Sequence, residues 1–95
     1  MVPAAGTEQL QQVEDEVDRL SARANTISDA VDNLRQRQSS QGLGLRSDMA
    51  SAQEMMKTYL AKAQSAIESQ DFKSAERYLK LAEPQVEKLE KFLGR

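Results

Sequence analysis

The side chains best able to do chemistry here are serines, carboxylates, methionines and arginines, because the chain has neither histidine nor cysteine. A serine nucleophile without a histidine needs another base. Ser65 and Lys62 offer such a pair, but they stand one turn apart on what reads as a helix surface, and surface decoration is the simpler reading. Glu14 with Asp18, and Glu83 with Glu87, could approach a divalent cation. A calcium site wants about 6–8 oxygens gathered by a loop, and no such loop is present. Met49, Met55 and Met56 could form a soft, adaptable binding patch or simply fill gaps in a core. Arg35, Arg37 and Arg46 flank a glutamine-containing turn, too dispersed for a basic footprint. Gly42-Leu43-Gly44 lacks the preceding strand, the third glycine and the Lys-Ser/Thr of a phosphate loop. The expectation is a protein that is not an enzyme, with no catalytic residue, no metal and no cofactor.

Charge narrows the partners. Seven acids stand against four bases in the first 45 residues, and eight against nine in the rest, for a net −2. Neither half has the basic excess that phosphate backbones demand, so nucleic acid is not expected. No apolar run approaches the ~20 residues of a membrane span. The Val2-Pro3-Ala4-Ala5-Gly6 leader could be the remnant of a removed export signal. With the cysteine-free composition, it favours a periplasmic or secreted location over a cytoplasmic one.

The elements that must position these residues are helices. Few glycines and prolines, many Ala, Leu, Glu, Lys and Gln, and no period-two alternation argue against strands. Leu10, Val13, Val17, Leu20, Ala24, Ile27, Val31 and Leu34 step by three and four through four heptads, a narrow apolar seam. This predicts helix 1 over about 7–39, capped by Thr7, behind a disordered leader at 1–6. A turn at 39–46 follows, with Gly42 or Gly44 ending the helix and Leu43 and Leu45 covering the core. Helix 2, about 47–69 and capped by Ser47 or Asp48, carries Met49, Ala52, Met56, Tyr59, Ala63 and Ala66. Helix 3, about 71–93 and capped by Asp71, carries Phe72, Ala75, Leu79, Ala82, Val86, Leu89 and Leu93, with Gly94 as its stop. Pro84 lies inside that seam without disturbing its phase, which predicts a kink; the alternative is a break near Ala82, with Pro84 opening a fourth helix.

The expected fold is all-α: one antiparallel up-down-up three-helix bundle with coiled-coil-like heptad packing over residues 7–95. Helix 1 is about ten residues longer than its partners, so Leu10 and Val13 should overhang, and with Val17 they form the candidate partner-binding surface. Within residues 59–82, Gln70-Asp71-Phe72-Lys73-Ser74-Ala75 and the spacing of Tyr59, Ala63, Ala75, Leu79 and Ala82 resemble one helical hairpin of a tetratricopeptide repeat. Gln70 stands where that family usually has glycine, and Pro84 comes three residues early. The resemblance implies a tight hairpin and a role in holding protein partners. The function expected is a helical protein–protein interaction or scaffold module, meeting another protein or itself through helix 1. The alternative is a regulatory or carrier bundle holding a small apolar ligand between helices 2 and 3, among Ala52, Ala63, Ala66, Ala75 and Ala82.

Overall fold

The computed structural model describes the backbone of residues 4–40 and 46–94, and side chains from Glu8 to Gln38 and from Arg46 to Gly94. Three helices account for nearly all of it: α1 (Ala4–Ser40), α2 (Ser47–Glu68) and α3 (Phe72–Phe92). Side-chain bonds give their directions. Gln64 of α2 donates to Ser21 of α1, while Gln53 donates to Ser28 and Asp32, so α1 and α2 run antiparallel. Arg46 lies over the Phe92 ring and Lys62 over the Tyr78 ring, so α2 and α3 are antiparallel too. The bundle is therefore up-down-up. At 37 residues α1 is about 55 Å long at 1.5 Å per residue, which gives the molecule its 60 Å axis.

The first helix starts earlier than its sequence suggests. Ala4 and Ala5, the strongest helix formers, carry it through Gly6, so Thr7 lies inside the helix and does not cap it. Residues 4–6 of the supposed disordered leader are thus helical. The first turn, with Gly42, Gly44, Leu43 and Leu45, lies outside the described residues. The start of α2 also differs. Its flanking residue is Arg46, with no side-chain cap. Asp48 instead accepts both guanidinium bonds of Arg46, at 3.1 and 2.7 Å, and one from the Met49 amide. The charged partner takes the carboxylate that would have capped the orphan amides.

The α2–α3 turn follows from local chemistry. The Asp71 amide donates to the Ala66 carbonyl at 2.8 Å and the Gln70 amide to that of Ile67 at 2.9 Å, the double bond pattern of a Schellman motif. That motif needs a left-handed residue, and Gln70 supplies it at φ 61°, where glycine would sit without strain. The Asp71 side chain then accepts from the Ser74 amide at 3.2 Å and caps α3 as the sequence indicates. Bonds from the Ser74 hydroxyl and amide hold the Asp71 carboxyl below its ordinary 3.8, with Arg77 adding to the effect. The cap therefore stabilises fully above about pH 4 and is lost as pH falls through the lowered folded value. Asp71→Ala is expected to lower the thermal midpoint at neutral pH, and that deficit should shrink in a melt series carried below pH 4.

The core is one cluster along the bundle axis. Val13, Val17, Leu20, Ala24, Ile27 and Val31 of the α1 seam are all buried, while Leu10 and Leu34 at its ends are half-buried. They meet Met49, Met56 and Leu60 of α2 and Leu79, Val86 and Leu89 of α3. Helix α3 runs through Pro84 as one element, so the fourth-helix alternative is not adopted. Among the described residues a single polar side chain is fully buried in this core. Gln53 is fully buried, accepts from Arg35 at 3.0 Å and donates to Ser28 at 3.2 Å and Asp32 at 3.0 Å. Its amide is satisfied only when α1 and α2 hold this register, so it specifies alignment where apolar contacts would tolerate slippage. On the other side, Arg23 grips Glu90 of α3 through two bonds, at 3.2 and 2.6 Å. The Glu90 hydrogen bond, with Glu83 and Glu87 nearby, raises the Arg23 pKa further. At so open a site the pair is worth about 0.2–1 kcal/mol and serves mainly to align the helices.

Candidate interaction surface

Two of the three residues singled out for partner binding are buried, so the exposed overhang expected at Val13 is not found. Val13 is 3% exposed and Val17 2%, so both belong to the core, and Leu10 is half-buried. Helix length compares α1 with each partner helix taken singly. The hairpin as a whole reaches further: Ile67 and Phe72, on either side of its tight turn, pack against the same cluster that contains Val13 and Val17.

Among the described residues the acidic pairs and the arginines do not gather, whereas Ser65 and Lys62 share one groove. Lys62 lies 5.6 Å from the Tyr78 ring centroid, where its ammonium meets the π face. Lys62 and Ser65 border an open groove at the hairpin end together with Asp71, whose carboxylate accepts from the Ser74 amide. Glu14, Asp18, Glu83 and Glu87 are exposed, and no group of three ligand-type side chains gathers among the described residues. Arg35 is committed to Gln53 and Arg46 to Asp48, so the arginines do not converge. No helix among the described residues is long and apolar enough to cross a membrane.

A different surface emerges on the side of the hairpin away from α1. Gln53, Leu60 and Gln64 mark the side of α2 that faces α1, and Leu79, Glu83 and Glu90 mark that side of α3. Met55, Tyr59 and Lys62 follow one another along the opposite flank of α2, one turn apart. Tyr78, Leu81, Gln85 and Lys88 do the same along α3. The pairings of Arg46 with Phe92 and of Lys62 with Tyr78 bring Met55 and Tyr59 level with Leu81 and Gln85. Met55 is 37% and Leu81 41% exposed, the large hydrophobic side chains left most open among the described residues. Tyr59 and Tyr78 lie half-buried beside them.

This face is also electrically biased. Lys62 and Arg77 both lie over the Tyr78 ring, at 5.6 and 5.3 Å. Lys88 stands further along, felt by Asp48 at the end of the groove. Acids occur only at the two ends: Asp48, bonded to Arg46, and Asp71, spent on its cap. Of these residues the sequence pointed to Met55 as one of three methionines, to Lys62 as a partner for Ser65 and to Tyr59 as a seam residue, but not to a shared face; Met49 and Met56 are core. Leu81 passed unnoticed because it lies off the α3 seam, although a large apolar residue off the seam is itself a sign of a second face. No protein-family model, no curated protein and no solved structure matches this chain at a significant level.

Proposed function

We propose that this chain is a non-catalytic helical module that binds another protein, and that it does so with the outer α2–α3 face, not with the N-terminal seam of α1. One observation carries the reading: the most exposed large apolar side chains, Met55 and Leu81, stand together on one face beside two tyrosines. Tyrosine and methionine are enriched at the centres of protein interfaces, and grouped apolar exposure is uncommon unless something covers it. The resemblance of residues 59–82 to a tetratricopeptide hairpin points the same way. The carrier alternative draws less support, because Ala52, Ala63, Ala75 and Ala82 have no exposed surface and serve to let α2 and α3 approach closely.

The test is site-specific photo-crosslinking in the organism of origin. A photoreactive side chain at position 81 is expected to yield a discrete protein adduct, and one at Asp29, on the exposed side of α1, should yield none. Adducts with lipid or small molecules alone, or no adduct from either position, would reject the module.

A further inference from the structure

The hairpin already shows what kind of object its grooves accept. On one side of α2 and α3 lies α1, an amphipathic helix set along the pair with its apolar seam inward. The opposite face of the same pair carries no helix among the described residues. Apolar side chains at its centre, Met55 and Leu81, stand within a cationic border formed by Lys62, Arg77 and Lys88. None of these three cations has an ion pair within 4.0 Å among the described residues.

We infer that this groove takes an acidic amphipathic helix from another protein, laid along α2 and α3 opposite α1. The inference rests on the interaction-module reading and gives the partner its chemistry. An apolar seam on the incoming helix would cover Met55, Leu81 and the exposed part of Tyr78, in the helix-in-groove mode. Carboxylates flanking that seam would reach Lys62, Arg77 and Lys88, and complementary charge would set both approach and orientation. Met55 can adapt its three torsions to the incoming side chains. The two cations over Tyr78 hold the ring in place before binding.

Two other occupants fit less well. A second copy brings α1, whose acidic N-terminal half has the right charge, but its seam residues Val13 and Val17 are consumed in its own core. A membrane surface would gain only two well-exposed apolar anchors and would meet Asp48 and Asp71 at the ends of the groove.

The experiment is a selection on the full-length chain. The probe is a displayed library of short helical peptides that share one leucine seam, with flanking positions randomised among Glu, Lys, Gln and Ser. Enriched peptides are expected to carry Glu in preference to Lys. The best of them should lose binding about tenfold or more on Leu81→Asp, as truncation of an interface centre does. The double substitution Lys62→Glu with Arg77→Glu should reverse the flank preference. Circular dichroism of each variant should be unchanged, since all three positions lie on the surface. A pool with Lys-rich or unbiased flanks, an empty pool, or binding indifferent to Leu81→Asp overturns the inference. A protein adduct from position 81 together with a Lys-rich pool would keep the module and reject only the acidic helix. Loss of the adduct itself would reject the module.

Discussion

Leu89→Ala is expected to remove about 2–5 kcal/mol of folding stability, the range for emptying a buried leucine site. Leu89 has no exposed surface and sits in the cluster that joins all three helices. Its loss costs the transfer energy of the deleted atoms and also leaves a cavity, because α3 is held too firmly to collapse into it. The Arg23–Glu90 pair fixes α3 against α1 at the next residue, and α2 packs along its length. For 95 residues the total stability is about 5–14 kcal/mol, so this one change removes from about a seventh to nearly all of it. At roughly 4–8 °C per kcal/mol for a domain of this size, the thermal midpoint should fall by at least ~8 °C. The control is Leu81→Ala, at a site 41% exposed, where a change within about 0.5 kcal/mol is expected. Chemical denaturation of both variants checks the pair. Equal losses at the two sites would mean that the outer face is part of the core and is not a free surface.

The contrast between these leucines shows what a heptad pattern conveys. Periodicity says which residues share a helix face, and it placed Val17, Ile27, Val31, Leu79, Val86 and Leu89 together correctly. The Asp71 cap is equally local and readable, although the same signal at Ser47 and Asp48 does not cap α2. How far along α1 the hairpin reaches is not local. It depends on the register between helices, which the Gln53 network, the Ser21–Gln64 bond and the turn at Gln70 set together. Helix length alone therefore misplaced the overhang and, with it, Val13. Gln53 itself carries a readable sign, a long polar side chain between Ala52 and Met56 in an apolar stripe. Its three partners lie about twenty residues away on α1 and become neighbours only once the helices align. The outer face needed both kinds of information: the off-seam position of Leu81 and the antiparallel register that brings it level with Met55 and Tyr59.

Pro84→Ala is expected to raise stability by about 2–3 kcal/mol, an uncommon direction for a single substitution. Pro84 lies in the interior of α3, twelve residues past Phe72 in a helix that continues to Phe92. It has no N–H to give the carbonyl of Lys80, and its ring crowds that same carbonyl. Proline's stiffening of the unfolded chain offsets only about 0.4–1 kcal/mol of this cost. The side chain is exposed, so alanine forfeits no core contact and restores the missing backbone bond. Val86 and Leu89 behind it already keep the seam in phase, so the repaired helix has nowhere new to go. The urea midpoint should rise with no change in slope, the mark of a stability gain without a change in buried surface. An unchanged or lower midpoint would mean that Pro84 occupies the first turn of a separate helix, where proline costs nothing, and that α3 is two elements joined near Ala82.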